Sequence, residues 1–206
     1  MDSVHSRRNL PMKTKPLTFL LAFTFLFLFG GSVFGQEEVK EEHWDNGKLK
    51  WKEHYKDGKK DGVGTFWYKN GQVETESHYK DGKLNGLLSR WYPNGKKMSE
   101  IPYIDGKENG VQTWWYKSDI KEEERHYKNG KESGLRTEWR WDNGKKHMEA
   151  HFKDGNLDGP YTDWHSNGHK ANEGHYKDGK EDGLWTEWSE IGDRIDERHF
   201  VDGKEQ

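Results

Sequence analysis

Six consecutive stretches of this chain open on the same phrase. It reads Tyr55-Lys56-Asp57-Gly58-Lys59-Lys60-Asp61-Gly62 at its first occurrence and restarts at Tyr79, Tyr103, Tyr127, Phe152 and Tyr176. The period is 24 residues, with one extra residue in the unit that begins at Tyr127. A seventh start, Phe200-Val201-Asp202-Gly203, follows the last full unit, and a half unit, Trp44 to His54, precedes the first. A period of roughly 20–50 residues marks an array of like supersecondary units rather than one globular core.

Each unit holds two runs separated by glycine turns. In the first unit Gly62 to Tyr68 is rich in β-branched and aromatic residues, and Asn70-Gly71 follows it. Asn-Gly between two such runs is a strong hairpin signal. Gln72 to Tyr79 is the second run, and Lys80 to Gly86 reads as a longer turn into the next unit. The recurring glycines Gly58, Gly82, Gly130, Gly155 and Gly179, then Gly62, Gly86, Gly134, Gly159 and Gly183, then Gly71, Gly95, Gly144 and Gly168, read as turn chemistry. A phosphate-cradling loop is the weaker reading, because no helix follows any of them.

Stacking the units gives columns. Positions 63, 65 and 67 hold Val, Thr and Trp, and the same places hold Leu87, Ser89 and Trp91, then Val111, Thr113 and Trp115. They continue through Leu135, Thr137, Trp139, then Pro160, Thr162, Trp164, then Leu184, Thr186, Trp188. Period two puts each set on one face of a strand. The places between vary and are largely polar, so one face is read as specified and the other as free, as in a half-buried antiparallel sheet. The expected fold is all-β: an elongated, twisted antiparallel meander of hairpins, one per unit. About 13 strands at ~4.8 Å each would make a sheet roughly 60 Å long.

The first 35 residues differ from the rest. Arg7, Arg8, Lys13 and Lys15 precede the uncharged apolar run Leu17 to Phe29, and small residues lead to Gly35. That order is a secretory signal peptide, with cleavage expected after Gly35. A run of thirteen residues falls short of the ~20 that span a bilayer. The expected organisation is a signal peptide 1–35, a short polar lead-in 36–43, and a repeat array 44–206 divided into the half unit 44–54, six units 55–199 and a partial unit 200–206. Export places the array in the periplasm, the cell envelope or outside the cell. The chain has no Cys, which removes disulfides, thiolate metal sites and a lipidated Cys from consideration. Residues 36–206 carry 30 basic and 36 acidic residues, mixed along every unit. Phosphate binding needs clustered Lys and Arg, so nucleic acid is disfavoured as a partner.

Three columns invite chemistry. His recurs at 54, 78, 126, 151, 175 and 199. Zinc ligands lie within about 4 Å of one another, whereas equivalent residues of successive units are two strands, or about 9.5 Å, apart. The histidines are therefore read as structural, paired with Glu or Tyr, and no metal or other cofactor is expected. Glu recurs at 76, 100, 124, 149, 173 and 197. A uniform row of carboxylates offers no unique cleft for acid–base catalysis, so the chain is read as no enzyme. The Trp column is read as core. Off-column rings, Trp44, Trp51, Trp114, Trp141 and Trp185, are not demanded by the pattern and are the candidate partner-binding residues.

The unit Tyr-Lys-Asp-Gly-Lys-x-x-Gly-x-x-Thr-x-Trp-x-x-Asn-Gly resembles the bacterial MORN repeat variant found in YwqK-type antitoxin family proteins. The resemblance covers Trp44 to Gln206. It departs at Ser118-Asp119 and Ile191-Gly192, which replace Asn-Gly, and at Trp139 to Gly144, which is one residue long. The resemblance implies an all-β hairpin array without catalysis. It implies two roles as well, scaffolding of proteins at membranes and neutralisation of a toxin by binding it. The function expected from residues and resemblance together is an exported scaffold that binds another protein, with a toxin as the candidate partner. The alternative is an envelope module that binds polysaccharide or lipid through its aromatic rings.

Overall fold

The computed structural model describes residues 35–206; the expected leader lies outside them, apart from Gly35. These residues form one antiparallel sheet of 17 strands with no helix. The strands run β1 (Glu37–His43), β2 (Leu49–Lys56), β3 (Lys59–Trp67), β4 (Val73–Lys80), β5 (Lys83–Trp91), β6 (Lys97–Ile104), β7 (Lys107–Glu108), β8 (Gly110–Trp115) and β9 (Lys121–Lys128). They continue as β10 (Lys131–Trp139), β11 (Lys146–Lys153), β12 (Asn156–Trp164), β13 (Lys170–Lys177), β14 (Lys180–Glu181), β15 (Gly183–Trp188), β16 (Arg194–Val201) and β17 (Lys204–Glu205). Strands pair in sequence order, apart from the split pairs β7/β8 and β14/β15, so the sheet is a meander with two open edges.

Two of the strands beyond the expected 13 are fragments. β7 and β8 both lie on β6, and β14 and β15 both lie on β13. The other two are β17 and β1. Residues 37–43, expected as a polar lead-in, pair with β2 from Glu37↔Lys56 to His43↔Leu49. They complete the half unit as a hairpin, with charged residues on a strand the repeat pattern did not reach.

The two turn types are the reverse of the sequence reading. The tight turn is Asp-Gly. Lys80 pairs with Lys83, and Asp81 and Gly82 have φ of 51° and 84°. Positive φ at both central residues defines the two-residue type I′ hairpin, whose twist suits the flanking strands. The strand resumes at once, and the second glycine of the phrase sits inside it at a bulge. At Asn-Gly the loop is longer. The Gly71 amide donates to the Tyr68 carbonyl at 2.8 Å, the Tyr68 amide donates to Gln72 at 2.9 Å, and Gly71 alone has positive φ. That is a type I turn closed by a glycine bulge. In the third unit Asp119 takes the positive φ, at 71°. In the fourth the Gly144 amide reaches the Arg140 carbonyl, and the extra residue puts Trp141 on the loop.

A second bulge follows every Asn-Gly loop. Trp67 pairs with Val73 and Phe66 with Thr75, which leaves Glu74 without a partner. Residues three apart normally lie on opposite faces of a strand. The bulge brings them to one face, and in the last five units the Lys or Arg that opens the second run meets the Glu of its column. Lys121 pairs with Glu124 at 2.7 Å, Lys146 with Glu149 at 2.5 Å and Lys170 with Glu173 at 2.8 Å, and Lys97–Glu100 and Arg194–Glu197 do the same. The lysines also lie over the Trp column, Lys97 on Trp115, Lys121 on Trp139 and Lys170 on Trp188, at 5.1–5.7 Å from the ring centroids.

Burial corrects the expected sidedness. The Trp column is half-buried under these ion pairs rather than enclosed. The face expected to be free carries most of the buried residues, among them Glu53, Ser77, Leu88, Ile101, Gln112, Glu123, Ala150, Trp185 and Phe200. The Trp face contributes Ser89, Thr113 and Thr137, while its Leu87, Val111 and Leu184 are exposed. The buried face, which also carries the Tyr and Phe that close each unit, is packed by compensation. Arg136 lies opposite Ala150 and Tyr161 opposite Gly174, and the small pair Gly64 and Ser77 leaves room for the ring of Tyr79. A close-packed interior fixes the volume that is filled rather than the residue that fills it, so the mid-strand positions of this face do not repeat.

Candidate binding surface

Successive units are tied together at both margins of the sheet. At one margin the residue after each Trp position donates to the carbonyl of the Trp one unit on. Trp44 Nε1 donates to Trp67 O at 3.0 Å, and the Tyr68, Tyr92 and Tyr116 hydroxyls donate to Trp91, Trp115 and Trp139 at 2.7, 2.9 and 3.2 Å. Arg140 and His165 reach Trp164 and Trp188 at 2.6 and 2.8 Å. Four residue types fill one role because the role asks only for a donor of sufficient reach. At the other margin the tight-turn glycine of each later unit, after Asp or, at Gly130, after Asn, donates backward. The Gly82 amide reaches Lys60 O, Gly106 reaches Leu84 O and Gly130 reaches Glu108 O, at 2.7–2.8 Å. The sheet is thus a ribbon stitched along both sides. Tyr92→Phe should cost about 0.5–1.5 kcal/mol, the net worth of one such bond. Chemical denaturation checks this, and an unchanged midpoint would show that the rung contributes nothing.

The His column packs over the bulge glycines. A Cβ on Gly159, whose φ is +127°, would lie 2.8 Å from His151 Cβ. His78 Nδ1 donates to the Leu87 carbonyl at 2.9 Å, and His126 does the same to Leu135. The partners of these two are backbone carbonyls rather than the expected Glu or Tyr. Among the described residues no group of His, Asp and Glu is placed to hold a metal ion.

The five candidate rings have different fates. Trp44 is the first rung of the margin ladder. Trp51 Nε1 donates to Glu42 at 2.6 Å, and Glu42's carboxyl is held below its ordinary value by that bond and by Lys50. Trp114 carries the Arg125 guanidinium at 5.5 Å. Trp185 is 8% exposed, with the rings of Tyr161, Tyr176 and Phe200 at 5.6, 5.1 and 6.5 Å. Trp141, at 71%, is the one that presents a ring to solvent.

The sequence reading missed a polar cluster on the buried face. Arg125 Nε and Arg136 Nη2 both lie 2.7 Å from Glu123 Oε1, and Arg136 Nη2 lies 2.6 Å from Glu138. The signal was present as departures from neighbouring units: Arg125 stands where Ser77, Ile101, Ala150 and Gly174 stand, and Arg136 where Gly64 and Leu88 stand. A cavity of about 210 Å³ opens beside the cluster, between Tyr116, Trp139 and the bulge residues Glu122 and His147. Burial, with Glu123 and Glu138 nearby, raises the Glu122 carboxyl above its ordinary 4.5. A carboxyl whose folded value is raised binds its proton more tightly when folded, so its ionisation costs stability as pH rises from 4.5 through that value. Glu122→Gln should therefore raise the melting temperature at pH 7, with the gain fading as pH falls below the raised value. A gain that is equal at pH 4 and pH 7 would contradict this. A larger cleft of about 580 Å³ lies at the Asp-Gly margin, lined by Lys56, Lys59, Asp61, His78 and Asp81 among others; its opposed charges single out no ligand.

The geometry defines the class: an open, all-β ribbon of repeated hairpins. The MORN repeat variant family model matches residues 60–81, 84–105, 108–129 and 157–178. Four stretches of the chain are thus similar to that repeat, each running through one hairpin. The unit with the four-residue loop and the Arg136 cluster lies between the third and fourth of them. No curated protein matches the chain.

Proposed function

We propose that this protein is an exported, non-catalytic scaffold that binds another protein along its ribbon. The observation that carries this reading is the row of exposed apolar side chains on the Trp face. Leu87 and Val111 lie two strands apart, as do Pro160 and Leu184, with the half-buried Leu135 between the two pairs, and beside them run the Lys–Glu pairs over the Trp rings. An apolar line with a charged border has the anatomy of a protein interface, and its regular spacing suits an extended partner. The two stitched margins support the reading, because a stiff surface loses little freedom on binding. The leader-like N-terminus supports export. A toxin, neutralised by being held in the manner the resemblance to YwqK-type antitoxins implies, is the partner class we favour. For the alternative, an envelope polysaccharide or lipid held on aromatic rings, Trp141 is the ring that offers a free face.

The test is affinity capture from the envelope fraction with the protein and with a Val111→Lys, Leu184→Lys variant. A partner retained by the first and lost with the second supports the reading. Recovery of no protein, or of the same proteins by both, rejects it.

A further inference from the structure

The cavity between β9, β10 and β11 is unlike the rest of the ribbon in its charge. Glu123 and Glu138 are matched by Arg125 and Arg136, which leaves Glu122 in surplus. Among the described residues Glu122 has no ion pair. It occupies the bulge position, where other units have Met98, His147, Ala171 and Ile195, with Glu74 as the other acid. Its neighbours in the wall are two rings that the fold fixes in place. The Tyr116 hydroxyl is bound to the Trp139 carbonyl, and Trp139 lies under Lys121.

We propose that this cavity receives one cationic side chain, an arginine or a lysine, of the partner protein. Three carboxylates against two guanidiniums leave one negative charge to be met. The electron-rich faces of Tyr116 and Trp139 attract a cation within about 6 Å of the ring centre. Size restricts the guest. Pockets for small molecules usually measure about 300–1,000 Å³, whereas this one holds about 210 Å³, room for a single long side chain. The proposal rests on the protein-binding reading above, which supplies the chain that carries the cation. A free alkylguanidinium has the same head group but no backbone to lie along the ribbon, so the peptide-borne cation should bind more tightly.

The indole N–H signals of the isotopically labelled protein provide the test. The probes are acetyl-Gly-Arg-Gly-amide, its lysine and norleucine counterparts, and ethylguanidine. The arginine or lysine peptide should shift the Trp139 signal saturably, and Glu122→Gln should weaken that binding by roughly fivefold, the scale of one partly exposed ion pair. Glu124→Gln, on the opposite face and engaged with Lys121, should leave the affinity unchanged. Unshifted signals from the other tryptophans certify that each variant is folded. The proposal fails if neither charged peptide gives a saturable shift, if the norleucine peptide gives the same one, or if Glu122→Gln binds as the parent does. Ethylguanidine binding as tightly as the arginine peptide overturns the assignment to a partner's side chain. Because the probes need no partner, a failed capture with a positive titration rejects the scaffold reading alone. A successful capture with a negative titration rejects this inference alone.

Discussion

Trp185→Ala is expected to destabilise the last two units by about 3–5 kcal/mol, the usual cost of emptying a large aromatic site. The indole sits at the centre of a group of four rings. Tyr176 and Phe200 meet it edge-on at interplanar angles of 82° and 80°, and Tyr161 lies tilted against it at 34°. Its Nε1 donates to the His175 carbonyl at 3.3 Å. The ribbon is one layer thick, so there is no second layer to collapse into the space. Truncation exposes the faces of three neighbouring rings and frees a backbone carbonyl. Burial raises the Tyr161 and Tyr176 hydroxyls above their ordinary value, and removing Trp185 should bring both back toward it. Urea unfolding gives the energy, and alkaline titration of tyrosine absorbance reports the two hydroxyls. A loss below about 1 kcal/mol would place the ring on the surface.

Gly174→Ala should be nearly as damaging, for the opposite reason. The backbone at Gly174 is ordinary extended strand, so alanine strains no dihedral angle there. The obstacle is Trp185 itself, whose six-membered ring lies across the missing side chain. A Cβ at 174 would come within 2.7 Å of Trp185 Cε3 and closer still to Cδ2 and Cε2. Overpacking of a tight site costs typically 1–3 kcal/mol or more, and with the indole held on three sides we expect the upper end. The two substitutions should be strongly coupled. With Trp185 already reduced to alanine, Gly174→Ala should cost at least about 1 kcal/mol less than in the parent, as residues in direct contact do in a double-mutant cycle. Additive losses would mean that the glycine serves some other purpose.

Gly174 and Trp185 also show where the sequence was legible. The period, the hairpins and the all-β class followed from features repeated in every unit: the glycines, the Asn-Gly pairs and the Trp and Glu columns. The Trp face repeats because its parts interlock from unit to unit, Lys on Trp and Lys on Glu, and a column pattern records that kind of constraint. The opposite face is buried yet irregular. Apart from the Tyr and Phe that close each unit, its positions answer to the volume to be filled, and that demand leaves no mark on any one column. For the same reason Trp185 and Trp114, which break the pattern, read as spare surface rings when one fills the interior and the other backs an arginine. The margin ladder was hidden differently. Trp44, Tyr68, Tyr92, Tyr116, Arg140 and His165 share a long donor and no side-chain type. The Arg125–Glu123–Arg136 cluster was visible only as departures from neighbouring units, and their meaning depends on the pairing register.

The stitched margins have a consequence for how the chain acquires its structure. Every rung joins a residue to one that lies 22 to 24 positions away, and strands that pair are consecutive or, where a bulge splits a strand in two, next but one. Sheet proteins usually fold slowly because their strands must find distant partners. Here no such search is needed. A hairpin has what it requires as soon as the next one has emerged, so the ribbon can lengthen unit by unit in the order in which a chain is delivered, N-terminus first. Hydrogen exchange during refolding should then show protection spreading between neighbouring units, with no step that waits for the two ends to meet.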